Sequence, residues 1–425
     1  MDAKSSGREK MLGTVLVAAA FITYIAITAS RLLYNSEKLT LIEEGIAGLE
    51  EAAHVFNVFM VAYAVTQITL AIVMKRINLK WYILITISGA SLVTSLMVFT
   101  SNIGEHYVIY ALMGALQAGY WSCNLKLMSV YLPSSMLPSA SAVMTMGPAI
   151  AGALSFGVAA LFGNNWRLPF LVMGILSLCG VILYTLSLSS LEHVREENLK
   201  KEKKEPDRVE IPESYSFFET RWGVLIFYAI SIIVGCSLIS IYSIIGNNLD
   251  VYLKEIGEID VGTVKAIMIV MPLVAAVGPF MTVHSTEKRR GDFFIVMVEY
   301  LTPSLIFIGA GCLLFRDYVV PTFILFLIFY VLIHGSRSII LSVSPLKMRE
   351  KLDTGVYSIV VNAASSIASG IIPTFAATML ETNEINDGFN KVFLWMLIWT
   401  ILVVVLILAT WLFIRVKCQR RASLN

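Results

Sequence analysis

The sequence predicts an all-α membrane protein of twelve transmembrane helices in two pseudo-symmetric six-helix bundles. Three observations predict it: an excess of apolar residues, their gathering into runs of membrane-spanning length, and the placement of lysine and arginine between those runs. The 425 residues are 57% hydrophobic and 15% charged, whereas a soluble domain is about 45–50% apolar and about 25% charged. The excess lies in runs such as 11–33, 81–99 and 392–416. Each approaches the roughly 20 residues that cross about 30 Å of hydrocarbon. Each is apolar on nearly every helical face, unlike a helix laid on a soluble core.

The spans fall at about 11–36, 52–74, 81–100, 107–131, 139–162, 169–188, 223–248, 263–283, 293–314, 319–345, 356–380 and 391–416. They form two groups of six, residues 1–191 and 222–425, joined by a polar segment at 192–221 that contains EHVREENLKKEKKEPDRVE. Its charge and Pro206 predict a solvated linker. The start, MDAKSSGREK, is polar and basic, and the apolar run after it is too long for a signal-peptide core. It reads as a retained first helix. Of the five cysteines, Cys123, Cys179, Cys236 and Cys312 lie in apolar segments and none forms a CxxC pair with another, Cys418 included. That pattern suggests neither a disulfide framework nor a zinc site.

Orientation follows from positive charge. With the N-terminus inside, the cytoplasmic segments hold about 23 lysines and arginines, against about five outside. They include Lys4, Arg8 and Lys10; Lys75, Arg76 and Lys80; the linker cluster; Lys288, Arg289 and Arg290; Lys347, Arg349 and Lys351; and Arg415, Lys417, Arg420 and Arg421. The first outer loop is acidic, with Glu43, Glu44, Glu50 and Glu51. A multi-pass protein of the cell inner membrane with both termini cytoplasmic is expected.

Basic inner loops recur after the second span of each six, at 75–80 and 284–292. Duplicated halves around a midplane site are a secondary-transporter plan. At this point the chain resembles the major facilitator superfamily. The resemblance rests on the six-linker-six layout, the loop VMKRINLKWYI after span 2, Asn165-Trp166-Arg167-Leu168-Pro169-Phe170 entering span 6, and the matching loop HSTEKRRGD. It implies a central cavity lined by spans 1, 4, 7 and 10. Span 1 also resembles that of organophosphate:phosphate antiporters and related organic-anion branches, through Tyr24, Arg31 and Tyr34, as does VYLKE after span 7. Where those antiporters carry a second arginine in span 7 this chain has Tyr242. Where they carry a histidine in span 5 it has Met146-Gly147-Pro148. Their substrate is therefore not carried over.

Ionisable residues inside a span cost roughly 2.5–3.5 kcal/mol each on insertion scales and usually face a bundle interior or water. They are Arg31 in span 1, Lys126 in span 4, Glu299 in span 9, and His334 with Arg337 in span 10. Tyr24, Arg31 and Tyr34 sit at offsets of seven and three, so a shared face is expected, as for Tyr330, His334 and Arg337. Guanidinium groups bind carboxylate or phosphate through paired hydrogen bonds. Arg31, Lys126 and Arg337, with Tyr24, Tyr34, Tyr330, His334, Tyr242, Trp121 and Asn362, are the expected substrate-binding set. Lys75, Arg76, Arg289 and Glu299 are expected in gating or coupling. Bland alternatives stand beside these: snorkelling of Arg31 or Lys126, an Arg337–Glu299 structural pair, and interhelical hydrogen bonds for Gln117, Asn124, Asn247, Asn248 and Asn362. The small-residue runs 147–152 and 363–370 suit close helix packing.

The sequence carries no P-loop, HExxH or GxSxG, so neither an enzyme nor a cofactor is expected. The net charge of +2 says little about partners, while the lack of a basic, aromatic-interleaved stretch argues against a nucleic-acid partner. The reading is a secondary active transporter of a small organic anion, acting as a monomer among membrane lipids, with coupling to a proton, to sodium or to a counter-solute left open. A same-fold transporter of a neutral solute or drug, and a membrane sensor that binds without transporting, are the alternatives.

Overall fold

A computed structural model describes residues 3–74, 76–133, 136–163, 165–199, 221–289, 292–314, 318–347 and 354–422. The first half holds α1 (Ala3–Glu43), α2 (Leu49–Val73), α3 (Leu79–Leu96), α4 (Ile103–Gln117), α5 (Tyr120–Tyr131), α6 (Leu137–Phe162) and α7 (Arg167–Leu199). The second holds α8 (Arg221–Glu255), α9 (Val261–Ala275), α10 (Val277–Lys288), α11 (Phe293–Leu313), α12 (Val319–Ser338), α13 (Ser344–Lys347), α14 (Thr354–Glu381) and α15 (Ile385–Ala422).

Eleven helical stretches among the described residues are long and apolar enough to cross a membrane. The remaining span is α4 with α5, which the backbone divides at Gly119. Gly119 has φ +89°, a left-handed conformation that glycine adopts without a Cβ penalty. The break frees the Ala118 carbonyl, and the Tyr82 hydroxyl donates to it at 2.8 Å. A backbone group freed inside a membrane needs such a partner. The α9–α10 span bends at Ala276 after Pro272, and α12 runs into a π-helical stretch at Ile339–Val343. Asn78, Asn102, Asp260 and Asp292 cap the starts of α3, α4, α9 and α11 by accepting from backbone N–H groups.

Several helices outrun their predicted spans. α1 continues to Glu43 and α8 to Glu255, beyond the apolar runs that end near 36 and 248. α7 continues to Leu199, so residues 192–199 of the expected linker are helical; residues 200–220 lie outside the described residues.

The buried apolar side chains follow the two halves. One cluster holds residues between Leu16 and Leu191 with Ile359, and another holds residues between Ala26 and Met173. The largest begins at Phe227 and admits only Leu39, Ala149 and Phe156 from the first half. The halves meet where α2 packs on α14 and α6 on α9. Small residues allow these crossings. A Cβ on Gly370 would lie 3.0 Å from Met60 Cβ, and one on Gly152 3.0 Å from Pro272 Cβ. Both glycines belong to the small-residue runs picked out in the sequence, so those runs pack half against half.

Within the second half, α10 crosses α12 at Gly278 and Gly335. A Cβ on Gly278 would sit 2.8 Å from the Gly335 nitrogen and against the Val331 carbonyl oxygen. Forcing a side chain into such a contact costs about 1–3 kcal/mol or more. Thermal unfolding of purified Gly278→Leu is expected at a clearly lower midpoint than wild type. Gly7→Leu, where nothing lies within 4 Å, is expected to leave the midpoint in place. Equal midpoints for the two variants would contradict the close crossing.

Candidate functional site

A cavity of about 140 Å³ opens between the halves. Tyr24 and Arg31 reach it from α1, Tyr63 from α2 and Trp121 from α5. Tyr242 on α8, Tyr330, His334 and Arg337 on α12, and Asn362 on α14 face them from the second half. Pro148 in α6 and Pro272 in α9 complete the wall where the halves cross. The lining contains no aspartate or glutamate among the described residues.

Helical rotation explains which predicted residues converge. Tyr24 and Arg31 are seven residues apart, so they differ by only about 20° around the helix. Tyr330 and Arg337 repeat that spacing on α12, with His334 about 40° to one side of Tyr330. The Arg337 guanidinium carbon lies 5.6 Å from the Tyr242 ring centroid. Tyr242 stacks on Tyr330 at 4.5 Å between centroids and 14° between planes, and its ring lies 5.3 Å from that of His334. Across the cavity the Tyr24 and Trp121 rings lie 5.2 Å apart. The Asn362 amide donates to the Tyr63 hydroxyl at 3.3 Å.

The cations here lack the partners buried charges normally find. No carboxylate among the described residues pairs with Arg31 or Arg337. The Nε of each is buried without a hydrogen-bond partner, as are both ring nitrogens of His334, which is 3% exposed. Arg31 and Arg337 are close enough to feel each other's charge, and Arg31 acts likewise on Tyr24 and Tyr63. Two like charges in a low-dielectric chamber repel, and an anion between them removes both costs.

Other members of the expected set lie elsewhere. Tyr34 is fully buried in the first-half core, hydrogen-bonded to His106 Nδ1 at 3.0 Å and packed on Tyr110. It follows Tyr24 by ten residues, which turns it about 80° from Tyr24 on the side away from Thr28, Leu32 and Asn35, which line the cavity. Lys126 is half-buried on α5 and outside the cavity. Five residues beyond Trp121, it points about 140° away from it. Glu299 pairs with Arg289, not with Arg337. Both belong to the second half, so parting the halves leaves that pair closed. Arg76 is exposed in the loop after α2, and Lys75 lies outside the described residues. Gln117 donates to Ser30 at 3.1 Å and Asn124 accepts from Tyr184 at 3.0 Å, both as interhelical hydrogen bonds within the first half.

Sequence reasoning missed a second group of charges. At the end of the bundle opposite the chain termini, Lys265 of α9 donates to Glu37 at 2.7 Å, Thr40 at 2.8 Å and the Gly163 carbonyl at 3.3 Å. All three ammonium hydrogens are thereby used. Next to Glu37, Lys38 donates to Asp250 of α8 at 3.0 Å and to the Asn247 carbonyl. Asn35 bonds the Asn247 side chain. Lys254 reaches Glu43 at 3.1 Å, and Glu381 of α14 accepts from the Glu50 amide at 2.6 Å. Glu37, Lys38, Asp250 and Lys265 are at most 4% exposed. Lys265 falls inside a predicted span, so its charge was a visible signal; Glu37, Lys38 and Asp250 sit just past the apolar runs. Opposite signs at the ends of spans 1, 7 and 8 were the clue.

Among the described residues, no cluster of three or more histidine, cysteine or acidic side chains could hold a metal ion. Residues 11–373 match the Major Facilitator Superfamily. No curated protein sequence matches the chain. Among solved structures it resembles a bacterial homolog of the human lysosomal transporter Spinster, in an inward-facing and occupied conformation. That match has a TM-score of 0.66 and 15% identity over 93% of this chain and 96% of that one. The same homolog, inward-facing and unoccupied, matches with a TM-score of 0.64 and 15% identity over 96% and 98%. A point mutant of the nucleoside transporter NupG matches with a TM-score of 0.63 and 13% identity over 94% and 99%. At these identities the structures speak for the fold, while the sequence match spans most of the chain. The chain belongs to the Major Facilitator Superfamily, and so to membrane transport proteins rather than enzymes.

Proposed function

We propose that the chain is a secondary active transporter that carries a small organic anion, a carboxylate or a phosphate ester, across the cell inner membrane. One observation carries the reading: Arg31 and Arg337, from opposite halves, face one cavity whose described lining holds no acid. A guest that touches both arginines ties the halves together, and its release lets them part, which is the requirement for alternating access. Residues 1–191 and 222–425 act as the two moving bodies and 192–221 as their cytoplasmic tether. With both termini inside, as the lysine and arginine distribution supports, the Glu37–Lys265 and Lys38–Asp250 pairs close the outer side.

These buried pairs form an outer latch. Removing a single partner from such a pair strands a desolvated charge, at a cost of about 3–5 kcal/mol. Separation in an outward-open state costs less, because water hydrates both partners. The α2–α14 and α6–α9 crossings, lined by Gly370 and Gly152, are the surfaces on which the halves slide.

Two outcomes are expected. A carboxylate or phosphate ester raises the thermal midpoint of the purified protein, because it binds the folded state. Arg31→Gln removes that rise. Stabilisation by a neutral sugar or nucleoside that survives in Arg31→Gln would overturn the anion reading. For the latch, Thr28, buried in the cavity wall, serves as reporter. In a background without native cysteines, Thr28→Cys in proteoliposomes is expected to react little with impermeant maleimide from the α1–α2 loop side. Adding Lys265→Ala and Asp250→Asn is expected to raise that labelling several-fold. Unchanged labelling would remove the latch role.

A further inference from the structure

We propose that the transported anion is a single-ring aromatic acid, its acidic head between Arg31 and Arg337 and its ring against Tyr242. This rests on the anion reading above and adds to it the body of the molecule.

Size sets the first limit. The cavity is about 140 Å³, and an apolar protein cavity of roughly 150 Å³ accommodates benzene. One six-membered ring with a compact head is close to the size of that space.

The walls set the second. Tyr242 and Tyr330 form a stacked pair on one side, and Tyr24 with Trp121 faces them from the other half. Aromatic faces and edges attract another ring at centroid distances of about 4.5–7 Å. Met60, Met268 and Met271 add thioether contacts suited to ring edges. Because the Arg337 guanidinium lies over the Tyr242 ring, a head bound to Arg337 brings its own ring alongside Tyr242.

Three of the cavity's serine hydroxyls are turned back on their own helices. Ser338, Ser366 and Ser369 donate to carbonyls of their own helices, at 2.7, 2.8 and 2.9 Å. Their hydrogens are spent on those carbonyls. Unspent groups remain on Arg31, Arg337 and His334 and on the Thr28 and Ser365 hydroxyls. Of these, the two arginines carry a fixed charge, and an anionic head is the group that answers them. A single carboxylate or phosphate head has lone pairs enough for both arginines.

The test is a binding panel on the full-length protein in detergent, read by thermal shift and isothermal titration. The probes are benzoate, phenyl phosphate, cyclohexanecarboxylate, acetate, 1-naphthoate and uridine. Benzoate or phenyl phosphate is expected to bind at least ten-fold more tightly than cyclohexanecarboxylate, with acetate and naphthoate weaker still; which of the two binds better identifies the head. Tyr242→Leu is expected to erase the preference for the aromatic over the saturated ring while retaining weak anion binding. If acetate or cyclohexanecarboxylate binds as well as benzoate, the ring assignment fails and the anion reading stands. If uridine binds and none of the anions does, both fail. If naphthoate binds best, the size limit fails.

Discussion

The structure turns on two guanidinium groups placed in the interior of a membrane protein without a carboxylate, among the described residues, to neutralise them. Elsewhere the chain handles buried charge in the opposite way. Lys265 spends all three of its hydrogens on Glu37, Thr40 and Gly163, and Lys38 meets Asp250. Pairing is therefore available to this fold and is used within the same helices. That Arg31, two turns before Lys38 on α1, is left without it is the contrast on which the proposed anionic guest rests.

The surrounding architecture follows from keeping those arginines on a shared chamber. A break at Gly119 lets α4 and α5 change direction, so that Trp121 packs beside Tyr24 on the first-half side of the cavity while Tyr82 satisfies the freed carbonyl. Pro148 and Pro272 sit where α6 and α9 border the chamber, with Gly152 admitting the close approach. At the end away from the termini, the ion pairs of α1 with α8 and α9 hold the halves together. The chamber thus has an arginine from each half, aromatic sides and one fastened end.

Much of the architecture was legible in the sequence, because apolar runs and the placement of lysine and arginine answer directly to the bilayer. Arg31, Arg337, His334, Tyr24, Tyr330, Tyr242, Trp121 and Asn362 were legible as cavity residues because costly or polar groups inside a span must face inward. Tyr34 and Lys126 were misplaced for a geometric reason: they lie about 80° from Tyr24 and about 140° from Trp121 around their helices, enough to leave the cavity face. The ion pairs at the end away from the termini escaped notice because α1 and α8 run on as helix past their apolar segments. Hydropathy marks where lipid ends, not where a helix ends. The choice of Arg289 over Arg337 by Glu299 was also beyond the sequence, since it depends on how α10 ends beside α11.

The most direct measurement compares the ligand-free stability of wild type with that of Arg337→Met and Lys265→Ala in the same detergent. Lys265→Ala strips a paired carboxylate of its partner, and its unfolding midpoint is expected to fall, by an amount in keeping with about 3–5 kcal/mol. Arg337→Met removes one of two like charges that wait for a guest, so its midpoint is expected to equal or exceed that of wild type and to ignore added anions. A fall in Arg337→Met comparable to that in Lys265→Ala would show that Arg337 already has its partner within the protein, and would contradict the account.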